Sequence, residues 1–390
     1  MNKTMKMAVA AALAMGASAA QAGIIIPAGD WNIDIGGNVN AYYTHTNYSG
    51  ALQSTTPGAL SSKSSNNVQT GLLPSALGIG GKTRQNDMDV AFQFTFFVGD
   101  GSNSAGSNNS INIRQAYGSF GDKSWGTIKF GRDLGVFGSD AILSDMTLLG
   151  VGVGAGSAGS STLGRIGSGY MYADWVGQFQ YASPNWNGFS FVGAVRQPWT
   201  NSVDNTNHEM GFDGKVSYEW AGDFAGKVWL GGITEKQTAV GAATGYTGKM
   251  GEIGGKVGYS GAELVGYYYT GSGMSGAQNA SNFNLNGLMN LNQPVDHDQS
   301  GGYIQGTFKI PGVGTKLGVS WGESIVSANA GQTADFKDES WIIGAYHPLT
   351  KSVNLVAEYT DNKIDGLGNS NAAGTSGKAR TVSLGAIMFF

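Results

Sequence analysis

The chain has 390 residues, a formal net charge of −4 and no cysteine. The mild acidity argues against nucleic acid as a partner, and the lack of thiols removes thiolate metal sites, cysteine nucleophiles and disulfides. Charged residues make up 13% of the chain, about half the globular norm of roughly 25%. The 64 glycines are accompanied by 16 Tyr, 17 Phe and 9 Trp. A disordered chain would not carry those aromatics, so the composition predicts many β-strands joined by glycine-rich loops.

At the N-terminus, Lys3 and Lys6 precede an apolar run from Met7 to Ala20, and Ala20-Gln21-Ala22 forms an A-x-A cleavage site before Gly23. Residues 1–22 are expected to be a cleaved export signal, leaving 23–390 as one domain. Their removal takes two lysines and no acids, so the formal charge falls from −4 to −6. The apolar run is short and alanine-rich, and nothing downstream supplies the about 20 apolar residues of a spanning helix.

From Trp31 onward the pattern has period two. Ile33, Ile35, Val39, Ala41 and Tyr43 share one parity, while Asn32, Asp34, Asn38, Asn40 and Tyr42 share the other. The third run is the clearest: Met88, Val90, Phe92, Phe94, Phe96 and Val98 oppose Asp89, Ala91, Gln93 and Thr95. Such an apolar face requires lipid or a second sheet to cover it. The same reading gives runs near 31–45, 75–85, 87–99, 110–121, 125–132, 173–183, 188–198, 208–220, 223–236, 247–260, 262–272, 299–310, 314–326, 338–348, 352–361 and 378–390. Sixteen is an even number, as a closed antiparallel barrel with both termini on one side requires.

The connections alternate too. Short turns at 84–86, 121–124, 184–187, 221–222, 260–261, 311–313 and 347–351 separate longer Gly/Ser/Asn loops, the asymmetry between the two rims of an outer-membrane barrel that a β-sandwich has no reason to show. One loop stands out, 133–172, with the stretch G-V-G-V-G-A-G-S-A-G inside it; loops of that length are commonly functional. Gly154, Gly156 and Gly159 satisfy G-x-G-x-x-G there, but no βαβ context follows and no dinucleotide site is expected. The chain closes on T-V-S-L-G-A-I-M-F-F, with Val382, Leu384, Ala386, Met388 and Phe390 on one parity and Thr381, Ser383 and Gly385 on the other. Ile387 and Phe389 break the pattern. The fold expected is an all-β transmembrane antiparallel up-and-down barrel of 16 strands.

Between Gly126 and Phe191 these residues resemble a known family. The piece G-T-I-K-F-G-R followed by D-L-G-V-F, then Ser144-Asp145-Met146, Gly164-Arg165 and Y-A-S-P-N-W-N-G-F, is similar to the fifth strand, third loop and sixth-strand turn of the trimeric general-diffusion porins of Gram-negative outer membranes. The terminal phenylalanine resembles that family's barrel-assembly signal, and a weaker likeness in strand pattern covers the mature chain. The resemblance implies a homotrimer in outer-membrane lipid, recognised by the assembly machinery through Phe390, with loop three folded into the barrel and acids on it facing basic residues on the wall. Carried over, Arg132 and Arg165 match family arginines, and Asp145 sits in the matching loop segment. Lys82, Arg84 and Arg114 join them by strand parity as pore-lining candidates, with Asp140 a further loop candidate. Opposed charges across a narrow aqueous gap orient water and polar solutes, and net lumen charge sets ion preference. Where a second acid would follow Asp145 the chain reads T-L-L-G-V-G, so a mostly neutral, glycine-lined loop is expected in place of a strongly cation-selective one.

Each arginine has a plainer alternative, pairing with a neighbouring carboxylate, lying between subunits or sitting at a rim; Arg196 reads as a rim residue. Trp175, Phe179, Tyr181, Phe189, Phe191 and Trp321 read as lipid-facing girdle aromatics in preference to a sugar-stacking slide. Tyr267, Tyr268 and Tyr269 must point both ways. His45, His208, His297 and His347 are scattered, which gives little support for a catalytic dyad or transition-metal site, and Asp296-His297-Asp298 reads as a solvated loop. No cofactor is expected. The leading function is passive diffusion of small hydrophilic solutes and ions across the outer membrane. The alternatives are a solute-specific channel with a binding surface built from loops 46–74 and 273–298, a barrel enzyme, or an adhesin.

Overall fold

In the computed structural model of the chain, the residues described are 23–53, 63–98, 111–154, 161–199, 209–238, 245–274, 298–328, 334–367 and 375–390. The expected signal segment, His208, Asp296 and His297 lie outside them. The strands are β1 (Ile24–Ala28), β2 (Trp31–Gly50), β3 (Ser64–Gln69), β4 (Ser75–Gln85), β5 (Met88–Val98), β6 (Asn112–Asp122), β7 (Gly126–Leu134), β8 (Trp175–Ala182), β9 (Phe189–Arg196) and β10 (Gly211–Trp220). They continue as β11 (Ala225–Thr238), β12 (Gly245–Tyr259), β13 (Ala262–Ser272), β14 (Asp298–Lys309), β15 (Lys316–Val326), β16 (Phe336–Pro348), β17 (Val353–Leu367) and β18 (Thr375–Phe389).

Each strand pairs antiparallel with its chain neighbour, and β18 returns to β2 from Phe389↔Asn38 to Gly377↔Gly50. The ring therefore closes with sixteen staves and no free edge, the one way a sheet satisfies its backbone in hydrocarbon. All sixteen expected runs coincide with staves. Two short strands were not expected. β1 pairs with Trp31–Ile35 on the line β18 has just vacated, and Phe390 and Gly37 exchange backbone hydrogen bonds of 3.0 and 3.1 Å at that joint. β3 pairs with Tyr42–Asn47 in line with β4, so β3 and β4 make one interrupted stave.

Alternation then sorts the side chains. On β13, Val265, Tyr267 and Tyr269 are buried inward while Leu264 and Tyr268 are exposed outward, so the three tyrosines do divide between the faces. On β18, Val382, Leu384 and Met388 face out, and Ser383 and Thr381 face in. Ile387 and Phe389, which broke the pattern, are buried inward. The outer surface is a continuous apolar belt including Phe94, Phe130, Phe179, Phe212, Leu230, Ile253, Ile304 and Ile343. Short turns join staves at one rim; at Asn86-Asp87 both central residues have positive φ, 47° and 61°, the geometry whose twist matches a two-residue hairpin.

Candidate functional site

The segment between β7 and β8 leaves the wall and enters the barrel. Its first arm forms a short helix, α1 (Ser139–Ser144), and then a single 3-10 turn (Met146–Leu149). Asp145 organises the joint, since its carboxylate accepts from the Thr147 N–H at 2.9 Å, the Arg165 N–H at 3.2 Å and the Tyr170 hydroxyl at 2.8 Å. Burial first, and Asp145 second, raise the Tyr170 pKa well above its ordinary value, so that hydroxyl stays a donor. The return arm pairs with the first through Val153 N–H to Gly164 O at 2.8 Å and Leu163 N–H to Val153 O at 2.8 Å.

The wall holds this insert by its backbone. Asp213 on β10 accepts from the N–H groups of Val136 and Phe137, at 2.9 and 3.3 Å. Glu252 on β12 accepts from Gly138 N–H at 2.8 Å, and Gln305 on β14 accepts from Met146 N–H at 2.7 Å while donating to Ser144 O at 2.9 Å. Glu358 on β17 takes the N–H groups of Val151 and Gly152 at 2.9 and 2.8 Å, and its other oxygen takes the Tyr346 hydroxyl at 2.7 Å. Gly150 is needed for that grip, because a Cβ there would stand 2.0 Å from Glu358 Oε1. Tyr42 and Tyr303 donate to Leu149 O and Ala141 O at 2.6 and 2.8 Å. Residues between β3 and β4 complete the cradle: Leu72 N–H reaches Gly150 O at 2.9 Å and Thr162 N–H reaches Gly71 O at 3.2 Å. The stave is interrupted there because 70–74 is drawn inward.

Beneath the insert lies an apolar core. Phe137, Ile142, Leu148, Ile166, Tyr170 and Met171 pack on Trp229, Ile233, Met250, Tyr267 and Tyr303 of the wall. Hydrophobic burial and backbone hydrogen bonds thus fix the loop against β10–β17 and β2, leaving Leu143, Ser144, Leu149 and Tyr172 among its partly exposed side chains. The wall of β5–β8 keeps a polar inner ladder of its own. Thr95 donates to Gln115 at 2.6 Å, Gln115 to Asp133 at 2.9 Å, and Lys129 pairs with Asp133 while its ammonium lies 5.2 Å from the Tyr117 ring centre.

The predicted charges are not gathered into one ring. Arg165 is wholly buried, not pore-facing. Its Nε donates to Ser320 Oγ at 2.6 Å and its Nη1 to Ser340 Oγ at 2.9 Å, so it rivets the return arm to β15 and β16. Asp145 is likewise buried within the loop. Asp140 faces two wall lysines, Lys227 at 2.7 Å and Lys215, and is spent in those pairs. Arg132 shares its register row with Ala116 and Gly177 and its parity with Ile128 and Phe130, opposite Lys129 and Asp133, which puts it on the outer side. Lys82 and Arg84 fall on the inward parity with Gln93, but at the short-turn end, where Arg84 bridges Asp89 and Asp122 at 2.8 and 3.0 Å. Arg114 sits at a register shift near the long-loop rim, its guanidinium 4.7 Å from the Phe97 ring centre. Arg196, read as a rim residue, is buried against Glu235 and Trp199. Trp175 contacts Phe97 and donates to Tyr172, whereas Phe179 and Phe189 are exposed on the outer wall. No group of three or more metal-ligating side chains occurs among the described residues.

The clasp on Asp140 predicts a pH dependence. Burial pushes its carboxyl up, but Lys215 and Lys227 outweigh that and bring the pKa down to about 2. A depressed carboxylate contributes its stability above its unfolded pKa of about 4 and loses it as pH falls through the folded value, a contribution of about 2 kcal/mol here. Thermal unfolding should therefore separate wild type from Asp140→Asn by a constant gap between pH 7 and 5, closing toward pH 2. A gap that closes near pH 5 would remove the two-lysine account.

A family description, Gram-negative porin, matches residues 8–367. No curated protein matches in sequence. Among solved structures, the outer membrane channel DcaP of Acinetobacter baumannii is similar at a TM-score of 0.65 and 16% identity, covering 93% of this chain and 99% of that one. Outer-membrane OmpT of Vibrio cholerae gives 0.62 at 15% identity over 94% and 100%. Salmonella typhi OmpF, solved in complex with daunomycin, gives 0.62 at 15% over 94% and 100%.

Proposed function

The chain belongs to the Gram-negative porin family and forms an outer-membrane channel for passive diffusion, and from that premise we propose that it is a general-diffusion pore of weak ion preference. The observation that carries this reading is the insert itself. Three of its four charged groups, Asp140, Asp145 and Arg165, are buried in contacts with the wall or with the loop, and the fourth, Asp174, sits half-buried at the junction with β8, so the side chains that the middle of the insert leaves partly exposed are neutral: Leu143, Ser144 and Leu149. The passage runs between that surface and the inner ladder of β5–β8, where Lys129 and Asp133 compensate each other. Lys82 and Arg84 line the short-turn mouth, and Arg114 the long-loop rim. A field that opposed free charges would impose is replaced by paired charges and dipoles.

Planar-bilayer recording tests this directly. Reversal potentials in a tenfold KCl gradient should stay close to zero, and flux of small sugars should rise linearly with concentration. Saturable, solute-blockable current would instead establish a solute-specific channel. The chain is further read as carrying solutes without transforming them, which lipid and peptide hydrolysis assays check.

Three organisational features belong to the same reading. Residues 1–22 are removed on export, which the intact mass of the mature protein reports. The channel assembles as a homotrimer, supported by a solved trimer form of Vibrio cholerae OmpT, similar at a TM-score of 0.58 and 17% identity over 92% of this chain and 99% of that one. Phe390, whose backbone closes on Gly37, is the handle for the barrel-assembly machinery. Deleting it should lower the outer-membrane yield in cells several-fold and leave refolding in detergent possible; equal yields would remove the handle.

A further inference from the structure

On the short-turn side of the insert, the inner wall from β10 to β15 carries Lys215, Lys227, Lys256, Lys309 and Lys316. Alternation fixes their direction. Lys256 shares its row with Val265 and Gln305, both buried on the inner face. Lys309 lies two residues beyond the inward Thr307, and Lys316 lies four before the inward Ser320. The Lys316 ammonium stands 4.9 Å from the ring centre of Tyr346, a further inward residue whose hydroxyl reaches Glu358.

Three carboxylates stand among these lysines. Asp140 of the insert takes Lys215 and Lys227, and Glu219 takes Lys227 at 3.4 Å. Glu263, opposite Thr307 on β13, is what remains for Lys256, Lys309 and Lys316, and none of these four enters an ion pair among the described residues. The register sharpens the excess, because Lys227 is directly opposite Lys256 and Lys309 is directly opposite Lys316. Opposed side chains have Cβ atoms about 4.5–5.5 Å apart, and like charges so placed destabilise a sheet. Asp140 and Glu219 relieve the first pair, whereas the second has no such relief. A local conflict without internal compensation is the mark of a functional position.

We propose that Lys309 and Lys316 form a binding station for small phosphate-bearing solutes on the short-turn side of the passage. The inference rests on the channel reading, which fills the lumen with water. A phosphate monoester carries about −1.5 to −2 charges at neutral pH, and two neighbouring ammonium groups match it as point charges. Lys309 is exposed and Lys316 half-buried, and Lys309 also lines a depression of about 450 Å³ with Ser260, Gly261 and the turn 310–314, which gives a solute room beside the pair. Glu263 keeps the station weak, so a solute is held and then released, as conduction requires. The station lies beyond the passage, so preference among small ions stays with the paired charges there.

A phosphorus NMR titration of inorganic pyrophosphate against the purified full-length protein in detergent at low salt tests this. Wild type should broaden the pyrophosphate signal, and half-saturation should move upward at least about fivefold in the double variant Lys309→Gln/Lys316→Gln. Glu263→Gln removes the competing carboxylate and should tighten binding by about twofold, a gain that misfolding cannot produce. Lys123→Gln, on the turn between β6 and β7, should match wild type. Several hundred millimolar KCl should abolish binding by screening. All four proteins should conduct KCl alike; a wild type that does not conduct would sink the channel reading, whereas the titration judges the station. Equal half-saturation in wild type and the double variant, no tightening in Glu263→Gln, or binding that survives high salt would each overturn it.

Discussion

Glu358→Ala is expected to raise single-channel conductance and turn quiet open-channel current into flicker, while the barrel remains folded. The side chain is buried on β17 and serves three donors at once, the N–H groups of Val151 and Gly152 and the hydroxyl of Tyr346. Removing the acceptor leaves all three without a partner in a confined space, at about 1–3 kcal/mol each. A total on the order of 4 kcal/mol would raise the population of the detached loop tip by roughly three orders of magnitude. Glu358→Gln keeps one acceptor oxygen and should lie between the two. The remaining grips, at Asp213, Glu252 and Gln305, keep the first arm docked, so the change is confined to the tip. If Glu358→Ala conducts like wild type with unaltered noise, the wall carboxylate does not position the loop.

Arg165→Ala should release the return arm instead. The guanidinium is wholly buried and touches Ser320 and Ser340 on two different staves as well as Ser168 O. Its loss empties a large volume and strands several serine groups, a cost of about 2–5 kcal/mol for a buried large-to-small change. Gly322 shows how closely the fit is made, since a Cβ there would come within 2.8 Å of Arg165 Nη1. The expected readout is new protease cleavage between 161 and 174 in the refolded protein, with the outer-wall tryptophan fluorescence unchanged. Arg165→Met, which restores much of the packing, should be cut more slowly than Arg165→Ala. Resistance of Arg165→Ala equal to that of wild type would refute the rivet.

Which residues of the candidate site are legible in the sequence depends on the range of each interaction. Arg132 was assigned to the pore by likeness of the G-R step, although its own parity with Ile128 and Phe130 already pointed outward. Arg165 matched a family arginine, but only the fold reveals that Ser320 and Ser340, 155 and 175 residues away along the chain, close over it. The residues that position the insert, Asp213, Glu252 and Glu358, were not singled out. The available signal was a carboxylate on the inward parity of a strand, which identifies a lumen-side acid without naming its partner. Arg114 lies at the register shift between Thr95 and Phe96, where counting by twos no longer assigns a face.

The sequence by itself determined the sixteen staves, the lipid-facing parity, the alternation of short and long connections and the position of the long insert. Those depend on neighbours two residues apart and on the requirement that every strand edge be paired in hydrocarbon. The tertiary structure alone decided that the insert is gripped by its backbone, that Asp140 and Arg165 are spent on the wall and Asp145 within the loop, and that residues 70–74 leave their stave to hold it. Those outcomes depend on which side chains meet across more than a hundred residues of chain, and a period of two carries no information about that distance.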